Sequence, residues 1–106
     1  MISLVYSELL KKYNEILIST SRGFDTEYEF LEYWVPSTDI NQSISDLVNS
    51  AIDFNITKLE IIFTKEEIND LYFKDLKKKF YQYETFDLTK NKIEFCAKKN
   101  KDYSKN

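Results

Sequence analysis

The chain contains no histidine, so any proton transfer near neutral pH falls to a carboxylate, a lysine or the single thiol, Cys96. Cys96 occupies the outward phase of a predicted strand, with Glu94 and Lys98 beside it on the same face, and a neighbouring lysine lowers a thiol pKa. No base or orienting group can be assigned to it, so it reads as an incidental thiol. Asp25, Glu27 and Glu29 would project together from a strand and could then gather a hard cation through oxygen ligands. On a helix they diverge, and no glycine shapes a calcium loop around them. The only glycine, Gly23, leaves no room for a phosphate-cradling loop or a dinucleotide fingerprint, which need several positions without a side chain. These residue types predict no catalytic residues, no metal and no cofactor, and a protein that is not an enzyme.

Charge is distributed unevenly. From Gly23 to Thr57 there is no basic residue, while seven acids fall there: Asp25, Glu27, Glu29, Glu32, Asp39, Asp46 and Asp53. The flanking segments carry a small positive excess, so the net charge of -3 conceals a segregated pattern. Four of the acids interleave with Phe24, Tyr28, Phe30, Tyr33 and Trp34. Tyrosine and tryptophan bury large rigid surfaces while keeping one polar atom, and like charge around them speeds association with a basic partner. The predicted partner-binding residues are Asp25, Glu27, Tyr28, Glu29, Phe30, Glu32, Tyr33, Trp34 and Asp39. The alternative is that Tyr28, Leu31 and Trp34 pack in the core and the acids face water; either phasing still leaves Tyr33 on the acidic side.

The elements that must position this segment follow from periodicity. Apolar residues from Ile2 to Leu17 recur at steps of three and four and predict an amphipathic helix ending near Ser19 to Gly23. Thr26 with Glu29 has capping-box spacing and favours a short helix up to Val35, stopped by Pro36, although the alternation of Glu27 to Phe30 also suits a strand. Ile44, Leu47, Val48, Ala51 and Ile52 predict a helix over 44–54, with Ser43 and Asp46 as its cap. Leu59, Ile61 and Phe63 predict a strand over 58–64, central because Ile62 makes its second face apolar. Thr64 and Glu67 open a helix whose stripe is Ile68, Leu71, Tyr72, Leu76, Phe80 and Tyr83. Two final strands, about Phe86 and Leu88 and about Ile93 and Phe95, form a hairpin turning at Lys90-Asn91. The sum is an α+β domain of two layers over 1–98, with three or four helices against a mixed three-stranded sheet in chain order α-α-α-β-α-β-β. In it the strand at 58–64 would lie parallel beside the strand at 85–89. Residues 99–106 read as a flexible basic tail.

A lone cysteine, an N-terminus without a basic start and the lack of an 18-residue apolar run predict a cytoplasmic protein with no membrane segment. Fourteen lysines against one arginine, with abundant Ile and Asn, suit an AT-rich bacterial or phage gene. This profile is that of a small acidic module that neutralises another protein by occlusion: a toxin immunity protein, an antitoxin or a phage-encoded inhibitor. Its partner would present a basic surface, as a nuclease toxin or a nucleic-acid-handling enzyme does. Two alternatives are an accessory protein that contacts nucleic acid through the C-terminal lysines, and an adaptor domain with no inhibitory role. The acidic remainder of the chain argues against nucleic acid.

Overall fold

The structure, a computed structural model, describes residues 1–18 and 26–97. The expected end of the first helix and the basic tail lie outside that range. The elements run β1 (Ile2–Val5), α1 (Tyr6–Ile18), a 3-10 helix (Thr26–Tyr33), α2 (Ile40–Asp53), β2 (Lys58–Ile62), α3 (Lys65–Asn69), α4 (Phe73–Lys79), β3 (Thr85–Thr89) and β4 (Lys92–Cys96). The fold is α+β, with a mixed four-stranded sheet in the order β1-β2-β4-β3 where three strands were expected.

The additional strand is the start of the predicted first helix. Ile2 and Leu4 point inward, while Ser3 is exposed and Val5 half-buried, and β1 pairs in parallel with β2 through Ile2–Leu59 and Leu4–Ile61. The steps Ile2, Val5, Tyr6 suit a helix and the steps Ile2, Leu4, Tyr6 a strand, and the extended reading gives partners to the outer backbone groups of β2, which a helix cannot do. The helix then begins at Tyr6.

The strand expected over 58–64 is observed as Lys58–Ile62 and is central. Its neighbours, however, are β1 and β4. β3 runs in the same direction as β2 but lies at the outer edge, because the hairpin folds β4 back between them. Lys90 and Asn91 have φ of 45° and 60°, the left-handed pair that a two-residue hairpin turn requires.

The helix predicted through 64–83 is divided into α3 and α4. Thr64 and Glu67 form the expected capping box, with Glu67 N–H donating to Thr64 Oγ1 at 3.1 Å and Thr64 N–H to Glu67 Oε1 at 2.7 Å. The division at Asp70 to Tyr72 frees backbone groups, and Asn41 of α2 takes up two of them. Its Nδ2 donates to Asp70 O at 3.0 Å, and its Oδ1 accepts from Tyr72 N–H at 2.7 Å. The first turn of α2 therefore staples the break. That helix starts four residues earlier than predicted, capped by Asp39 rather than by Ser43, which is buried.

One face of the sheet carries Ile2, Leu4, Leu59, Ile61, Ile93, Phe95, Phe86 and Leu88 and meets the helical layer in one hydrophobic cluster. Tyr6, Leu9, Phe30, Leu31, Trp34, Ile44, Leu47, Val48, Leu76 and Phe80 close it from the other side. The second face of the sheet is polar. In register across it lie Ser3, Glu60, Glu94 and Asp87, and next to them Val5, Ile62, Lys92 and Thr89.

Candidate protein-binding surface

The segment from Glu29 to Val35 is held to α2 on one side only. Phe30 is fully buried, Leu31 nearly so, and the Phe30 carbonyl accepts a hydrogen bond from Ser50 Oγ at 2.8 Å. Trp34 is also buried. Its Nε1 donates to the Ser43 carbonyl at 3.0 Å, and its ring meets Tyr6 edge-on at 6.1 Å. Tyr6 in turn donates to Ser43 Oγ at 2.7 Å, so one serine of α2 receives both aromatic polar groups. Burial raises the Tyr6 pKa above its ordinary value; the Ser43 bond opposes this and Glu67 adds slightly to it.

Tyr33 and Val35 turn the opposite way. Tyr33 is 73% exposed and Val35 62% exposed. The Tyr33 ring stacks on Phe54, the C-cap of α2, with centroids 5.7 Å apart and planes 26° apart. Phe54 is itself 38% exposed, so the pair presents an apolar patch where the 3-10 helix meets the end of α2. Exposed carboxylates occur on both elements: Glu29 on the 3-10 helix, and Asp53 beside Phe54. Such a patch can bury ring surface against a partner while the carboxylates favour a cation at its rim.

Of the nine residues predicted to bind a partner, Phe30 and Trp34 are core, which withdraws both from direct contact. Glu29 and Tyr33 are exposed and Glu32 is half-buried. Asp39 is exposed but has a structural task, accepting from Asn41 N–H at 3.1 Å as the cap of α2. Asp25 and the side chains of Glu27 and Tyr28 lie outside the described residues. Phe54 was not among the nine. Helical spacing hid it, since it stands three residues after Ala51 and seven after Leu47, in line with the buried stripe, and it is exposed because the helix ends there and Phe54 is its C-cap.

Elsewhere, Glu60 is held below the usual carboxylate range, first by the hydrogen bond from Ser3 Oγ at 2.7 Å and then by Lys92, whose Nζ is 3.0 Å from Glu60 Oε2. The same pair raises Lys92. Cys96 is half-buried on the polar sheet face, in register with Lys58 and Thr85. Among the described residues, no three His, Cys, Asp or Glu side chains are grouped to hold a metal ion. None of the described helices is long and apolar enough to cross a membrane.

The fold and this surface define a two-layer α+β domain with a stacked aromatic patch on its helical side. Comparison with protein families, with curated proteins and with solved structures found no match to the chain.

Proposed function

We propose that the protein is an acidic binding module that neutralises a partner protein by covering its working surface, as toxin immunity proteins, antitoxins and phage-encoded inhibitors do. The observation that carries this reading is the Tyr33–Phe54 stack, exposed together with Val35 although the same short segment sends Phe30, Leu31 and Trp34 into the core. Large aromatic side chains left in water are costly to solubility and are the types that most often anchor interfaces.

The negative window from Gly23 to Thr57 supplies the second half of the reading. A partner with a basic active site or substrate groove would be steered to this side of the molecule, and carboxylates would stand where its anionic substrate binds. Occlusion needs no catalytic group on the inhibitor. It works in the cytoplasm of a bacterium or a phage-infected cell, where such a target is synthesised.

The test is capture of partners from a native-source lysate on the immobilised full chain, at low and high salt, beside the Tyr33→Ala/Val35→Ser and Glu29→Lys variants. The expected result is one stoichiometric protein with a basic surface, reduced by salt and by Glu29→Lys and lost from the double variant. Equal recovery on all three columns would remove the aromatic patch as the binding surface.

A further inference from the structure

The far edge of the sheet offers a second and separate interaction surface. The ladder between β2 and β4 continues past both strand ends, with Phe63 N–H donating to Asn91 O and Ala97 N–H donating to Thr57 O, each at 2.8 Å. In an antiparallel ladder, hydrogen-bonded pairs recur at every second residue, so these two bonds fix the phase. Leu59 with Phe95, and Ile61 with Ile93, bond across β2 and β4. Lys92, Glu94 and Cys96 must then direct their backbone groups the other way, to Thr89, Asp87 and Thr85 of β3. The remaining residues of β3, Phe86 and Leu88, aim N–H and C=O out of the sheet.

Among the described residues, the protection of that edge is slight, a single charge at Asp87. β3 reads Thr-Phe-Asp-Leu-Thr, with no proline and no lysine, and its five pairs to β4 are consecutive, without a bulge. Leu88 is half-buried at the margin of the core, where an apolar residue laid beside it would complete its cover.

Charge selects the occupant. Glu60, Glu94 and Asp87 lie in one row across the polar face, and the row ends at this edge. Glu60 is compensated by Lys92 and Ser3. Lys92 also attracts Glu94, but Glu94 and Asp87 stand directly opposite each other, an arrangement of like charges that weakens a sheet. A cation on an added strand would relieve it.

We propose that β3 is a docking edge to which an extended segment of a partner protein adds as a fifth, antiparallel strand, with a lysine or arginine opposite Asp87 and apolar residues on either side of it. Because Phe86 and Leu88 make the new backbone bonds, the position opposite Asp87 is a non-hydrogen-bonded pair, the kind in which side chains approach most closely. A second copy of this chain fits less well, since full overlap of two antiparallel β3 strands sets Asp87 against Asp87. The edge belongs to the sheet and the Tyr33 patch to the helical layer, so the two proposals fail independently.

The probe is the blocked pentapeptide acetyl-Thr-Ile-Lys-Val-Thr-amide, beside the same peptide with glutamate in place of lysine. Each is titrated to about 1 mM into the isotopically labelled full chain, a range suited to the weak binding of one short strand. The expected result is saturable shifts of the Phe86 and Leu88 amide resonances, with the lysine peptide binding about fivefold more tightly. Asp87→Lys should reverse that order, and since Asp87 is exposed the variant keeps the core intact. Unmoved Phe86 and Leu88 amides, equal affinity for the two peptides, or an order that Asp87→Lys does not reverse would each overturn the proposal. So would concentration-dependent dimerisation through these same amides without peptide, which would make the occupant a second copy.

Discussion

The stretch from Glu29 to Val35 and the hairpin from Thr85 to Cys96 are composed of the same ingredients, aromatic and aliphatic residues alternating with acids, and they dispose of them differently. In the hairpin every second side chain enters the core: Phe86, Ile93 and Phe95 are buried, and Asp87 and Glu94 stay on the polar face. In the 3-10 segment two adjacent residues, Phe30 and Leu31, are both buried, then Trp34, while Tyr33 between them is not. The hairpin divides its side chains between two faces and leaves no large apolar residue on the polar one. A tight helix anchored along one side has no such division, and what it leaves over at Tyr33 and Val35 is the patch proposed to bind a partner.

The largest test of this contrast is Phe30→Ala, expected to cost about 3–5 kcal/mol as a buried aromatic. Measured by denaturant titration, it should match Phe86→Ala; a cost near zero would place Phe30 with Tyr33 instead. Tyr6→Phe comes next, because it leaves the Ser43 hydroxyl buried without the donor that now reaches it, at about 1–3 kcal/mol. The wild type also carries a pH signature here. With the folded Tyr6 pKa raised above 10.0, its contribution is complete below that ordinary value and is lost as pH rises through the higher folded one. The alkaline fall in stability should be shallower in Tyr6→Phe.

Tyr33→Ala should move stability by no more than about 0.5 kcal/mol while removing partner capture, and a large loss of stability would make Tyr33 part of the core after all. Glu60→Gln is expected to have the smallest effect, a slight drop in Tm at neutral pH. Because the Glu60 pKa is lowered, its contribution is present above the ordinary carboxylate value and disappears as pH falls through the depressed one, so wild type and variant should converge in acid.

The parts of this fold legible in the sequence are those whose signals are local. The stripe of α2, the capping box at Thr64, the alternation of β2 and the Lys90-Asn91 turn each depend on residues within a few positions of one another. The parts that were misread depend on distant partners. β1 is extended because β2 offers it a ladder, α3 and α4 separate because Asn41 serves the break, and β4 enters beside β2 because the hairpin folds back. The candidate site shows the same division. Acid and aromatic enrichment marked the segment, but only its packing on α2 separates Tyr33 from Trp34, and Phe54 joins the patch through a stack that links two elements.

The parallel pairing of β1 with β2 bears also on the order of assembly. Ile2 lies opposite Leu59, so β1 can dock only after a loop of more than fifty residues has closed, whereas β3 and β4 meet across a two-residue turn. The hairpin and β2 are thus expected to form first, with the N-terminal strand completing the sheet after them. Leu4→Ala should hasten unfolding while scarcely slowing refolding, a division that stopped-flow kinetics would read directly, and equal changes in both rates would put β1 in the nucleus. On the expected division, β1 would govern how long the finished sheet survives more than how quickly it forms.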